Sequence, residues 1–111
     1  MTIEIHAPEG QAKEWLVGYL KEELTALHHR QPVISRAEVH LRETGAEQES
    51  THICEIDVTA FGGSIFVRRE SDSFEVAARH AMEEVKEMVE KQTRRQSEPP
   101  DEVISTVDVQ G

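Results

Sequence analysis

Three short segments decide the fold: residues 33–42 (VISRAEVHLR), residues 51–60 (THICEIDVTA) and residues 64–70 (SIFVRRE). Apolar side chains at every second position are typical of strands that bury one side and expose the other. Gly62 and Gly63 separate the last two segments, which predicts a hairpin there. The residues predicted to face inward are Val33, Ala37, Val39, Leu41, Cys54, Ile56, Val58, Ala60, Ile65 and Val67.

A strand and a helix precede these segments, and a second helix follows them. Thr2–His6 alternates in the same way, whereas residues 11–28 change to the spacing of a helix with one apolar side. The second helix is predicted to span about 22 residues and to end near Arg95. Asp72, with Glu75 three residues later, predicts a capping box at its start. The apolar stripes are Leu16, Leu20, Leu24 and Leu27 in the first helix and Phe74, Ala77, Ala81, Val85 and Met88 in the second.

The order of these elements predicts an α+β fold. We expect a β-α-β-β-β-α two-layer sandwich, in which a four-stranded, mainly antiparallel sheet carries two helices packed on one face. The other face of the sheet is then largely polar and open to water. The side chains expected in the core are Trp15, Leu20, Leu24, Val39, Ile56, Val58, Phe74, Ala81 and Val85.

Length and composition limit the possible classes of protein. The chain has 111 residues, which suits one domain, and one cysteine, which excludes an internal disulfide. We expect a domain over residues 1–95 and an acidic, flexible C-terminal tail over residues 96–111, where two prolines and four acids occur without a base. No apolar run is long enough for a membrane span and no secretory signal is visible, so a cytoplasmic protein is expected.

The sequence contains no recognisable catalytic or metal-binding pattern. The six histidines lack the spacing of metal ligands, so no metal site is expected. Cys54 has the inward parity of its strand, which favours a buried thiol over a nucleophile. We therefore expect a protein that is not an enzyme and that has no cofactor and no small-molecule substrate.

Basic residues are concentrated in two places, although the net charge is −10. Arg68 and Arg69 lie at the end of the last strand, and the last turns of the second helix hold Lys91, Arg94 and Arg95. Cations at the C-terminal end of a helix also complement its dipole. These bases are therefore explained either by contact with phosphate groups or by stabilisation of the helix itself. The same helix carries Glu83, Glu84, Glu87 and Glu90.

The chain resembles the ribosome hibernation-promoting factor family, also known as the ribosomal subunit interface proteins, in its short form. The resemblance covers about residues 2–95, and its motifs in order are RAEVHL at 36–41, HICEI at 52–56, the glycine-containing hairpin, SDSF at 71–74 and the basic end of the second helix.

This resemblance implies a non-enzymatic protein that binds small-subunit rRNA near the decoding region and holds ribosomes inactive under stress. By position, the implied RNA contacts are Lys86, Lys91, Arg94, Arg95, Arg68 and Arg79, to which the strand-end cluster adds Arg69. Glu83 and Glu84 depart from the more basic pattern of the family. The alternative is therefore an acidic protein-interaction module of the same fold, which binds a protein partner or itself and does not bind ribosomes.

Overall fold

The computed structural model describes residues 1–8, 13–45 and 51–97. The elements follow the predicted order β-α-β-β-β-α, and the α+β fold is confirmed. Their bounds are β1 (Thr2–His6), α1 (Lys13–Arg30), β2 (Arg36–Thr44), β3 (Thr51–Ala60), β4 (Gly63–Ser71) and α2 (Phe74–Ser97). Neither described helix combines the length and the apolar character that a membrane span requires.

The four strands form one mixed sheet in the order β1-β2-β3-β4. β1 runs parallel to β2, and the other two pairs are antiparallel. The predicted hairpin joins β3 to β4, but its two turn residues are Phe61 and Gly62, with φ values of 57° and 76°. Two successive positive φ values match the right-handed twist of a tight hairpin. Phe61 adopts this conformation at a cost, because a side chain disfavours positive φ.

Both helices pack on the same face of the sheet, around one core. The shared apolar cluster is continuous from α1 through the inward side of the strands to α2. Its largest fully buried members are Leu20, Leu24, Leu27, Ile34, Val39, Ile56, Val58, Val67, Met82, Val85 and Val89.

Before the second helix, two residues predicted to face the core are exposed, because each lies just outside the run of residues that is buried. Trp15 is 51% exposed, since it lies one position before the buried stripe that begins at Leu16, and its ring stacks on Tyr19. Val33 is exposed and Ile34 is buried, because β2 begins at Arg36 and the alternation does not extend back through the preceding turn.

The second helix differs from the prediction in its N-terminal capping residue and in which apolar side chains it buries. Ser73 is the cap, since its Oγ accepts a hydrogen bond from the backbone N–H of Val76 at 3.2 Å. Asp72 instead accepts a hydrogen bond from Ser71. Met88 is 38% exposed, and Val89 takes the buried position in its place. Phe74 is half-buried rather than fully enclosed.

The division into a domain over residues 1–95 and a tail over residues 96–111 remains a prediction. α2 continues through Ser97, and residues 98–111 lie outside the described part of the chain.

Candidate nucleic-acid interface

The two helices run parallel and end at the same end of the domain. A parallel β1–β2 pair requires α1 to return across the sheet, and two hairpin steps bring α2 back in the same direction. Contacts between the helices follow one order along both: Glu23 with Lys86 at 2.5 Å, Arg30 with Glu90 at 3.8 Å, and Gln31 with Thr93 at 2.9 Å. The last turn of α2 therefore continues beyond the point where α1 has ended.

The basic helix end, which consists of Lys91, Arg94 and Arg95, is exposed. None of these three side chains makes an ion pair within 4.0 Å in the described ranges 1–8, 13–45 and 51–97. Lys91 and Arg94 line one groove on the helix surface, together with Met88 and three glutamates, Glu84, Glu87 and Glu90. Their ammonium and guanidinium groups are consequently available to an external anion without first breaking an internal contact.

The other four predicted contact residues all have acidic partners. Arg68 lies 3.5 Å from Glu55 and also pairs with Glu70, and Arg69 lies 3.0 Å from Glu84. Arg79 pairs with Glu75 at 3.1 Å, one turn earlier in α2, and Lys86 pairs with Glu23. The structure thus separates the seven predicted residues into four paired bases and three without an ion pair.

One more base belongs to the same end of the molecule, and sequence reasoning did not include it. Arg30 closes α1 beside the exposed His29, and its guanidinium reaches Glu90 at 3.8 Å. The signal in the sequence was the basic last turn of α1. Its relation to α2 depends on the parallel arrangement of the helices, which local sequence does not show.

The open face, meaning the side of the sheet opposite the helices, carries bases that are neutralised by neighbouring strands. Glu55 accepts a hydrogen bond from Arg42 at 2.9 Å and also faces Arg68. That hydrogen bond, reinforced by the nearby positive charges, holds the pKa of Glu55 below its usual range against the opposing effect of desolvation. Ile53 lies on this side of the sheet yet is 2% exposed, since Arg42 and Glu70 flank it in the neighbouring strands.

A group of two histidines and one glutamate also forms on the open face. The β1–β2 register places His6 opposite His40, and their rings stack with centroids 4.6 Å apart. The Nε2 atoms of His6 and His40 lie 3.4 and 3.1 Å from the same carboxylate oxygen of Glu38. Sequence spacing did not reveal this group, because His6 and His40 belong to different strands separated by a helix.

The thiol of Cys54 is part of the core. It is fully buried, as predicted, and burial raises its pKa to about 12. Such a thiol remains protonated near neutral pH and is a poor nucleophile.

A mixed four-stranded sheet with two parallel helices on one face defines a class of small α+β proteins. Two solved structures share this fold. One is a ribosomal subunit interface protein from Coxiella burnetii, with a TM-score of 0.60, 17% identity, and coverage of 85% of this chain and 99% of that chain. The other is the N-terminal domain of Protein Y from Thermus thermophilus, with a TM-score of 0.67, 21% identity, and coverage of 83% and 99%.

The family assignment comes from the sequence itself. The profile of the family described as sigma 54 modulation protein / S30EA ribosomal protein matches residues 3–97, and the chain belongs to this ribosome-associated family. The resemblance inferred from the sequence motifs is confirmed. No curated protein matches the sequence closely enough to add a relative.

Proposed function

We propose that this protein is a non-enzymatic, cytoplasmic factor that binds small-subunit rRNA and holds ribosomes inactive under stress. Membership of a ribosome-associated family supports the choice of the ribosome as partner. The observation that supports direct contact with RNA is the state of the basic helix end: Lys91, Arg94 and Arg95 are exposed and make no ion pair with the described residues.

Local charge must provide the affinity, because the overall charge opposes it. The chain carries a net charge of −10, so an approaching phosphate backbone is repelled at long range. At an ionic strength near 0.15 M the Debye length is about 8 Å, and only nearby charges are felt strongly. Three bases within five residues can then act together, whereas Glu87 and Glu90, which line the groove beside Lys91 and Arg94, lie close enough to oppose them.

The helix dipole does not assist this contact. The C-terminal end of α2 bears the negative end of the dipole, which attracts the chain's own cations rather than an external phosphate. Phosphate binding at this end must come from the side chains themselves, as charge-assisted hydrogen bonds from the guanidinium and ammonium groups.

Co-sedimentation with ribosomes across a salt series tests the proposal. We expect the triple variant Lys91→Gln, Arg94→Gln, Arg95→Gln to bind ribosomes at least tenfold more weakly at physiological salt. The slope of the logarithm of the binding constant against the logarithm of salt concentration should become shallower by roughly two to three. The fold should persist, because all three side chains are exposed.

A control variant with the same net charge separates a local from a global effect. The variant Lys21→Gln, Arg36→Gln, Arg42→Gln also removes three surface bases, but away from the basic helix end and outside the seven predicted RNA contacts. We expect it to retain co-sedimentation. Equal losses in the two triple variants would show that total charge rather than this helix end governs binding, and would overturn the assignment of the contact.

A protein-interaction module is the second candidate function, because one aromatic side chain on the open face is exposed to solvent. Phe66 is 55% exposed on β4, an edge strand of the sheet. If the wild-type protein fails to co-sediment even at low salt, this candidate replaces the first. Phe66→Ala should then weaken binding to the protein partner or self-association without changing the fold.

A further inference from the structure

The geometry points to a divalent transition-metal site on the open face, which we propose is formed by His6, Glu38 and His40 and takes Zn²⁺ or a similar borderline ion. The potential ligand atoms of the three residues all lie within 4.8 Å of one another. Two imidazoles and one carboxylate form a donor set that suits Zn²⁺ and its neighbours and is unlike the all-oxygen sets preferred by Mg²⁺ and Ca²⁺.

The distances from the two imidazole nitrogens to the carboxylate oxygen suit tetrahedral coordination. Zinc–ligand bonds of about 2.0–2.1 Å place neighbouring tetrahedral ligands roughly 3.4 Å apart. The Nε2 atoms of His6 and His40 lie 3.4 and 3.1 Å from Oε2 of Glu38, which agrees with this spacing. The two rings are nearly parallel, with 10° between their planes, so they must tilt for both Nε2 atoms to point at one ion. Both side chains are about half exposed and have room to tilt.

Arg36 positions the carboxylate of Glu38. Its guanidinium lies 3.7 Å from Oε1 of Glu38, which directs the other oxygen toward the two imidazoles. The same guanidinium lies 2.9 Å from Oε1 of Glu4, an oxygen that is also 3.7 Å from Nε2 of His6, so Arg36 holds this second carboxylate at the edge of the site. Bound Zn²⁺ would therefore meet one unengaged carboxylate oxygen and two imidazole nitrogens, with its fourth position open to solvent or to a ligand.

The site also connects two strands that are distant in sequence. His6 is at the end of the edge strand β1, and Glu38 and His40 belong to β2. An ion held by both strands stabilises their parallel pairing, since a ligand that binds the folded state alone favours that state. Zinc binding should therefore raise the melting temperature by several degrees.

Isothermal titration calorimetry with ZnCl₂ tests this site on the full chain. We expect one ion per chain for the wild type, no binding of Mg²⁺, and at least tenfold weaker zinc binding in each of His6→Gln, His40→Gln and Glu38→Gln. The matched control is His29→Gln, which removes an exposed histidine at the end of α1 and should leave zinc affinity unchanged. Circular dichroism melting without metal verifies that every variant folds.

Two results would overturn the proposal. One is the absence of zinc binding by the wild-type chain. The other is zinc binding that persists unchanged in the double variant His6→Gln, His40→Gln, because the ion must then be held elsewhere. A metal-induced rise in melting temperature that is present in the wild type and lost in this double variant would support the site independently of calorimetry.

Discussion

The open face of the sheet and the basic helix end both carry several bases, but they offer different surfaces to a polyanion. On the open face, Arg36, Arg42 and Arg68 each lie within 4.0 Å of a carboxylate on their own strand or a neighbouring one. At the basic helix end, Lys91, Arg94 and Arg95 make no ion pair with the described residues. A count of bases therefore overstates binding capacity wherever strand pairing brings acids alongside them.

The difference has a geometric cause. Side chains on one face of a sheet have neighbours on both adjacent strands, about 5 Å away, so opposite charges pair readily. The end of a helix that continues past its neighbour has few elements beside it. Because α2 continues beyond the end of α1, Arg94 and Arg95 have no ion-pair partner from a second element among the described residues, and Lys91 lies on the exposed side of α2.

The largest effect should come from breaking the core on which both regions depend. Val58 is fully buried in β3, one of the two inner strands of the sheet, and Val58→Asp would bury an unpaired charge at a cost of several kcal/mol, comparable to the stability of a small domain. We expect loss of the folded signal in circular dichroism and loss of both surfaces. Thr59→Asp is the control, since the next side chain is exposed and the open face already holds Asp57. Equal destabilisation of the two variants would contradict the assignment of the buried face.

An intermediate effect is expected from adding charge to the helix surface. Glu87 lines the same groove as Lys91 and Arg94, and Glu87→Lys should tighten co-sedimentation with ribosomes by a few fold through local attraction. Glu14→Lys makes the same charge change in the first turn of α1, at the opposite end of the helices. Its effect should be smaller at physiological salt because of screening. Similar gains from both variants would mean that the binding surface is not confined to the basic helix end.

The smallest effect concerns the paired face. Glu55→Gln removes the carboxylate between Arg42 and Arg68, and we expect a loss of less than about 1 kcal/mol in unfolding free energy at pH 7, because the pair is solvent-screened. The pKa of Glu55 is lowered in the folded state. Its contribution is therefore fully present above its ordinary value of 4.5 and is lost as the pH falls through the lowered pKa.

Urea unfolding of the wild type and of Glu55→Gln at pH 7 and at pH 3 measures this contribution. The difference between the two proteins should shrink at the lower pH. A difference that grows on acidification would show that the carboxylate does not stabilise the folded state through its charge. If Glu55→Gln also increases ribosome binding, the gain is assigned to Arg42, which loses its partner, because Arg68 keeps its ion pair with Glu70.

Much of the fold and part of the candidate site followed from local sequence pattern. Strict alternation predicted β3 with its observed bounds, and the leucine spacing predicted α1, because strand and helix periods are properties of consecutive residues. The clustering of Lys91, Arg94 and Arg95 was also visible, since all three lie within five residues. The failures at Trp15 and Val33 occurred at the edges of these patterns, where one position decides between burial and exposure.

The sequence by itself therefore determined the order of the elements, the inward sides of the strands and the location of the basic helix end. Tertiary structure alone decided which of these bases form internal ion pairs with distant residues. The partners lie on other elements: β3 for Arg68, α2 for Arg69 and α1 for Lys86. It also brought His6 to His40 across a parallel strand pair. Both outcomes depend on register and on helix direction, and these are set by packing around a shared core rather than by the spacing of neighbouring residues.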